Sequence, residues 1–137
     1  MKTAAGHGPA NLYVPVGPGE LIDKITILEI KSERVASGDK LRNVRVELAE
    51  LSAARDASIA PSRALDRLTA SLKLVNQTLW WVEDELRAHE RDADFGPSFV
   101  ALARSVYRLN DQRATLKRQI NELLQSVIVE EKFYAAY

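Results

Sequence analysis

The sequence predicts an all-α fold: an antiparallel up-and-down helical bundle of four helices, two short and two long, with an extended N-terminal arm. Three observations carry this. Leu65, Leu68, Leu72, Val75, Leu79, Val82 and Leu86 recur at alternating steps of three and four, the pattern of a helix–helix seam. A second long segment carries Leu102, Val106, Leu109, Leu116, Ile120, Leu123 and Val127 at helical spacing. Short breakers containing Gly or Pro separate the periodic stretches, and connections that short join antiparallel neighbours.

In chain order, residues 1–17 read as the arm, where Val14-Pro15-Val16 favours an extended backbone that lies on the body. Residues 18–137 read as one helical-bundle domain. The first helix starts at Gly17-Pro18-Gly19-Glu20, with Pro18 at the first helical position and Glu20 placed to reach back as a capping acid. It runs through LIDKITILEIKSERVA and stops at Ser37-Gly38-Asp39, Gly38 serving as a left-handed terminator. Leu21, Ile25, Leu28 and Val35 form one stripe, while Ile22, Ile27 and Ile30 lie off it, and a helix apolar on several sides is central in a bundle. Asp39 caps a second helix over roughly 40–57, with Leu41, Val44, Leu48 and Leu51 on one face. The rival geometry makes residues 20–57 one long kinked helix in a three-helix bundle, at a cost of about 1 kcal/mol for Gly38 in a helix interior. Ala60-Pro61-Ser62 opens the third helix, Asp92 to Pro97 is a loop, and the fourth helix spans about 98–128.

Helix lengths carry a consequence. At about 1.5 Å per residue the two long helices span ~45 Å and the first two ~27 Å, so the first hairpin covers half of the long pair. The other half exposes Leu79, Trp80, Val82, Leu86, Phe99, Leu102 and Val106, and an apolar surface of that kind marks an interface. The sequence therefore predicts a homodimer, most simply two-fold.

Composition narrows the function classes. Nineteen basic and nineteen acidic residues balance to zero, which argues against a nucleic-acid partner. The chain has no cysteine, hence no disulfide, thiolate metal site or cysteine nucleophile. His7 and His89 are too few and too far apart for a zinc site, and no cofactor is expected. There is no apolar core of a secretion signal and no run of eighteen apolar residues, so the expectation is a cytoplasmic protein with no membrane partner.

Helical projection picks out polar groups lodged in apolar arcs: Glu29 in the first helix, Asn76 beside Trp80 and Glu83 in the third, and Asn110, Arg113, Lys117 and Asn121 in the fourth. Glu29, Asn76, Arg113 and Lys117 fall at similar heights. One reading is a structural ion pair of Glu29 with Arg113 that fixes register. The other is a pocket in which Arg113 and Lys117 hold a small anionic ligand against Trp80, using the planar fork of Arg and the point charge of Lys. Glu20 with Asp23, and Glu47 with Glu50, each put two carboxylates on one helical face, and all four project toward solvent. Trp80-Trp81 reads as core plus rim, and His89 as a cation favoured near a helix C-terminus.

With these residues in view, the chain resembles a family of short bacterial proteins known only as a domain of unknown function. GELIDKITILEIK at 19–31 and RSVYRLNDQRATLKRQIN at 104–121 carry the resemblance, with NVRVEL, LWWVEDELR and VEEKFY as weaker matches. It covers the chain from Val14 onward and implies no activity. Members often carry Ser at the position of Gly17, which would complete a capping box.

The leading functional expectation is a non-enzymatic module that self-associates and binds a small anion or a protein partner through the polar layer. A first alternative is a small all-α enzyme resembling the helical chorismate mutases, which also project Arg, Lys and Glu into a bundle cavity. LIDKITILEI lacks the arginine that this resemblance requires. A second alternative is a metal-dependent nucleotide hydrolase using Glu20, Asp23, Glu47 and Glu50.

Overall fold

The computed structural model describes residues 11–137. It contains α1 (Pro18–Arg34), α2 (Asp39–Ser58), α3 (Arg63–Arg91) and α4 (Pro97–Leu123), and no strand among the described residues. The first ten residues of the expected arm, His7 included, lie outside the described residues; 11–17 are extended. The all-α bundle expected from the sequence is what the chain forms, and the break between α1 and α2 removes the single-kinked-helix alternative.

α1 is the central helix, packed against each of the other three, parallel to α3 and antiparallel to α4. Gly19, Ile22, Asp23, Thr26 and Ile30 share one arc at about 100° per residue and are buried. Ile22 joins Leu65 and Leu72 of α3 and Ile120 of α4 in the core cluster. Leu28 projects from the opposite side and is buried all the same. The helix remaining on that side is α2, which Lys24 of α1 reaches through Glu47 at 3.0 Å.

α2 touches α1 and no other helix, and buries none of its own residues. The predicted face of Leu41, Val44, Leu48 and Leu51 is only half-buried. The four helices are thus unequal: α1, α3 and α4 make the core, and α2 is an outer layer on α1. Its sequence explains why, since KLRNVRVELAELSAARD offers a narrow apolar stripe with charges on both flanks.

Several helix ends differ from the sequence reading. α1 stops at Arg34 with Val35 as cap, and Gly38, at φ 90°, precedes α2 as its N-cap rather than terminating α1. Asp39 pairs with Arg42 at 3.3 Å instead of capping. α4 stops at Leu123, five residues before the expected end. Its C-terminus closes with Ser126 N–H donating to Asn121 O (2.8 Å) and Gln125 N–H to Glu122 O (3.2 Å), with Gln125 at φ 54°. α3 closes the same way through Asp94 and Ala93, the latter at φ 51°. Both are Schellman closures built without the usual glycine, so no glycine marks either end.

Beyond Arg34 no further helix lies on the α3–α4 pair among the described residues. Leu79, Trp80, Leu86, Phe99, Leu102 and Val106 are half-buried there, as the length mismatch predicts. Val82 corrects that expectation: it is 2% exposed, because it sits on the seam toward α4 and two helices suffice to cover it.

Candidate functional site

The polar layer forms around Asp23, not Glu29. The Asp23 side chain, 1% exposed as a residue, accepts from Arg113 Nε at Oδ1 (2.9 Å) and from Arg113 Nη2 at Oδ2 (2.5 Å), a two-pronged pair between α1 and α4. Asn76 of α3 donates through Nδ2 to Asp23 Oδ1 and to Thr26 Oγ1, both at 2.9 Å. Thr26 Oγ1 in turn donates to the Asp23 carbonyl at 2.8 Å. One carboxylate therefore joins three helices, and no buried side-chain polar atom among the described residues lacks a partner. A buried charge needs this degree of pairing to be tolerated.

Asp23 was expected on the solvent side and Glu29 in the core; the structure buries Asp23 and leaves Glu29 half-buried, away from Arg113. α1 is apolar all round, so its composition does not say which arc faces α3 and α4, and the stripe of Leu21, Ile25 and Leu28 belongs to the side opposite the core cluster. Glu29 lies half-buried against Lys73 of α3 at 3.6 Å, with Glu33 on the same lysine at 3.2 Å. The spacing Gly19-Asp23-Thr26-Ile30 held the missed signal: two small residues and an acid in one arc are what a close, hydrogen-bonded helix crossing requires.

A second charged group sits one turn further along α4. Lys117 Nζ bridges Glu20 (2.7 Å) and Glu130 (3.0 Å). Glu20 thus pairs across to α4 instead of capping its own helix. The Gly19 N–H, which a local cap would have taken, donates to Asn121 Oδ1 at 2.8 Å. The backbones approach so closely here that a Cβ on Gly19 would stand 2.4 Å from the Lys117 carbonyl oxygen.

Of the residues singled out in the sequence, Asn76 and Arg113 share the Asp23 cluster. Lys117 and Asn121 hold the start of α1 instead. Trp80 stands at the end of α1, with the Arg34 guanidinium 5.7 Å from its ring. Asn110 is half-buried and makes no side-chain hydrogen bond among the described residues. An open groove of about 320 Å³ lies over the layer, lined by Ile27, Ile30, Asn76, Trp80, Glu83 and Arg113 among others. The four carboxylates of the hydrolase reading do not converge: Glu20 meets Lys117, Asp23 meets Arg113 and Glu47 meets Lys24. Among the described residues no cluster of three or more His, Asp or Glu could hold a metal.

The charges respond as this geometry requires. The hydrogen bonds that Arg113 donates to Asp23 raise its pKa, outweighing the opposing effect of burial. Burial pulls Lys117 down, but hydrogen bonding to Glu20 and Glu130 outweighs it and holds the ammonium above its ordinary value. The stabilisation by Lys117 is therefore fully present below its unfolded pKa, about 10.4, and is lost as pH rises through the higher folded value. Urea unfolding is expected to show stability falling as pH climbs past that range, with a shallower fall in Lys117→Met. An equal slope in the two proteins would contradict the assignment.

Fold and site together define a helical bundle locked by a buried charged layer. The model of a family of unknown function, DUF6165, matches residues 12–137, and the chain belongs to that family. No curated protein and no solved structure matches it. No helix among the described residues is long and apolar enough to cross a membrane.

Proposed function

We propose that the protein is a non-enzymatic helical module that self-associates through the uncovered half of α3 and α4. One observation carries this reading. On α4, Phe99, Val106 and Asn110 continue the same arc along which Arg113 and Lys117 face α1. The strip that α1 covers at one end of the pair is open at the other, and there it turns apolar. Phe95, about half exposed, meets Phe99 edge-on at its far end. Arg113 and Lys117 are matched by carboxylates of the chain itself, so the layer serves as a structural lock and the partner surface lies beyond it.

A second copy is the partner that such a strip fits directly. A two-fold axis sets the apolar strip of one protomer on that of the other, so each covers the half that α1 leaves free. Light scattering after size exclusion should give twice the 15.3 kDa chain mass at micromolar concentration. Phe99→Glu with Val106→Glu should shift the protein to monomer, while Arg104→Glu with Arg108→Glu, on the far side of α4, should leave the dimer intact. A wild-type monomer at that concentration, or a dimer that survives Phe99→Glu with Val106→Glu, defeats the reading.

A further inference from the structure

After α4 the chain reverses and runs back along the outer face of that helix, with no helix or strand over residues 128–137. Its contacts there are regular. Glu130 pairs with Lys117 at 3.0 Å, Glu131 with Arg118 at 3.4 Å, and Arg118 Nη2 also donates to the Glu130 carbonyl at 3.4 Å. Lys132 pairs with Asp111, and the Tyr137 hydroxyl donates to Asp111 Oδ2 at 2.5 Å. The Tyr137 ring meets Tyr107 edge-on, with centroids 4.8 Å apart. Two adjacent acids thus stand on two adjacent bases, a base follows on an acid, and an aromatic ring ends on an aromatic ring.

Little holds this segment down. Residues 127–137 are all exposed, and Phe133 and Tyr134 point almost wholly into solvent. Ion pairs at such exposure contribute little to stability and weaken with salt. Beneath the segment, between it, α4 and residues 15–17, runs a groove of about 670 Å³.

We propose that the face of α4 from Tyr107 to Arg118 is a docking surface for an extended peptide segment of a partner protein. That segment bears two adjacent carboxylates followed by a basic residue, and the chain's own residues 129–137 occupy the surface in cis as a displaceable plug. The seated segment argues for this occupant directly: its charges complement the surface residue by residue, and it lies on α4 with no helix or strand of its own, as a bound linear peptide would. A flexible plug tethered beside its own site raises the local concentration that an incoming peptide must overcome, so binding in trans is attenuated until the plug is weakened.

The test uses the full chain and a fluorescein-labelled peptide of residues 126–137. Fluorescence polarisation is expected to show the peptide binding the Glu130→Gln, Glu131→Gln chain about tenfold more tightly than the wild type, because the plug no longer competes. Adding Arg118→Glu to that variant should abolish binding while circular dichroism stays helical. Trypsin should cut after Lys132 faster in the Gln variant than in the wild type. Equal affinity for the two chains overturns the proposal, as does equal affinity for a scrambled peptide or binding that survives Arg118→Glu. Repeating the titration in the Phe99→Glu, Val106→Glu background separates this surface from the dimer surface, and the tenfold difference should persist there.

Discussion

Arg113→Ala is expected to lower the free energy of unfolding by about 3–5 kcal/mol, the range for breaking a buried ion pair from one side. The loss does not measure how strongly the two charges attract. It reflects the Asp23 carboxylate, 1% exposed, left with the single Asn76 amide in place of a guanidinium fork. Two companions make the result diagnostic. Asp23→Asn in the Arg113→Ala background should recover much of the loss, since the neutral side chain no longer carries an unpaired charge. Replacing the whole layer at once, with Asp23→Leu, Asn76→Leu and Arg113→Met, should leave stability near the wild-type value, because apolar substitutes of similar size need no desolvation to be offset. Urea unfolding of all three reads the outcome. A loss below about 1 kcal/mol in Arg113→Ala would mean that water replaces the guanidinium freely and that the layer is not sealed.

Gly19→Ala should cost about 2–3 kcal/mol, the upper part of the range for overpacking. This inverts the intrinsic preference, under which Ala in a helix is favoured over Gly by about 1 kcal/mol. The new methyl would stand 2.4 Å from the Lys117 carbonyl oxygen and 2.9 Å from Asn121 Oδ1. The first obstacle is backbone of α4 and cannot rotate away, so α1 and α4 must separate. Separation also stretches the Gly19 N–H to Asn121 bond and moves Glu20 from Lys117. Thermal unfolding followed by circular dichroism tests this, with Gly38→Ala as a contrast: Gly38 has open space around it and only its positive φ to defend, so its loss should be smaller. A Gly19→Ala protein as stable as the wild type would refute the close crossing.

The legible part of this protein was whatever repeats. The seven-fold run from Leu65 to Leu86 specified α3 as a seam helix, and Pro18 located the start of α1. The encircling apolar residues of α1 announced a central helix, and the unequal lengths announced an uncovered half on α3 and α4. Arg113 and Asn76 were recognisable too, because polar side chains inside an apolar arc are conspicuous on any projection. Their acid was not. A helix apolar on all sides presents several equivalent arcs, so the choice between Asp23 and Glu29 was undetermined until α3 and α4 took their places against one of them. The ends of α3 and α4 escaped for a related reason, since Ala93 and Gln125 adopt left-handed backbone without the glycine that ordinarily marks it.

The sequence by itself determined the helices, their order and the central place of α1, because periodic burial along one chain is a local property that spacing records. Only the tertiary structure decided the partner of Arg113, the exclusion of α2 from the core and the return of residues 126–137 along α4. Each depends on which faces meet, and a hydrogen bond or ion pair between residues 90 apart in the chain, as Asp23 and Arg113 are, is selected by that meeting and not by either segment alone.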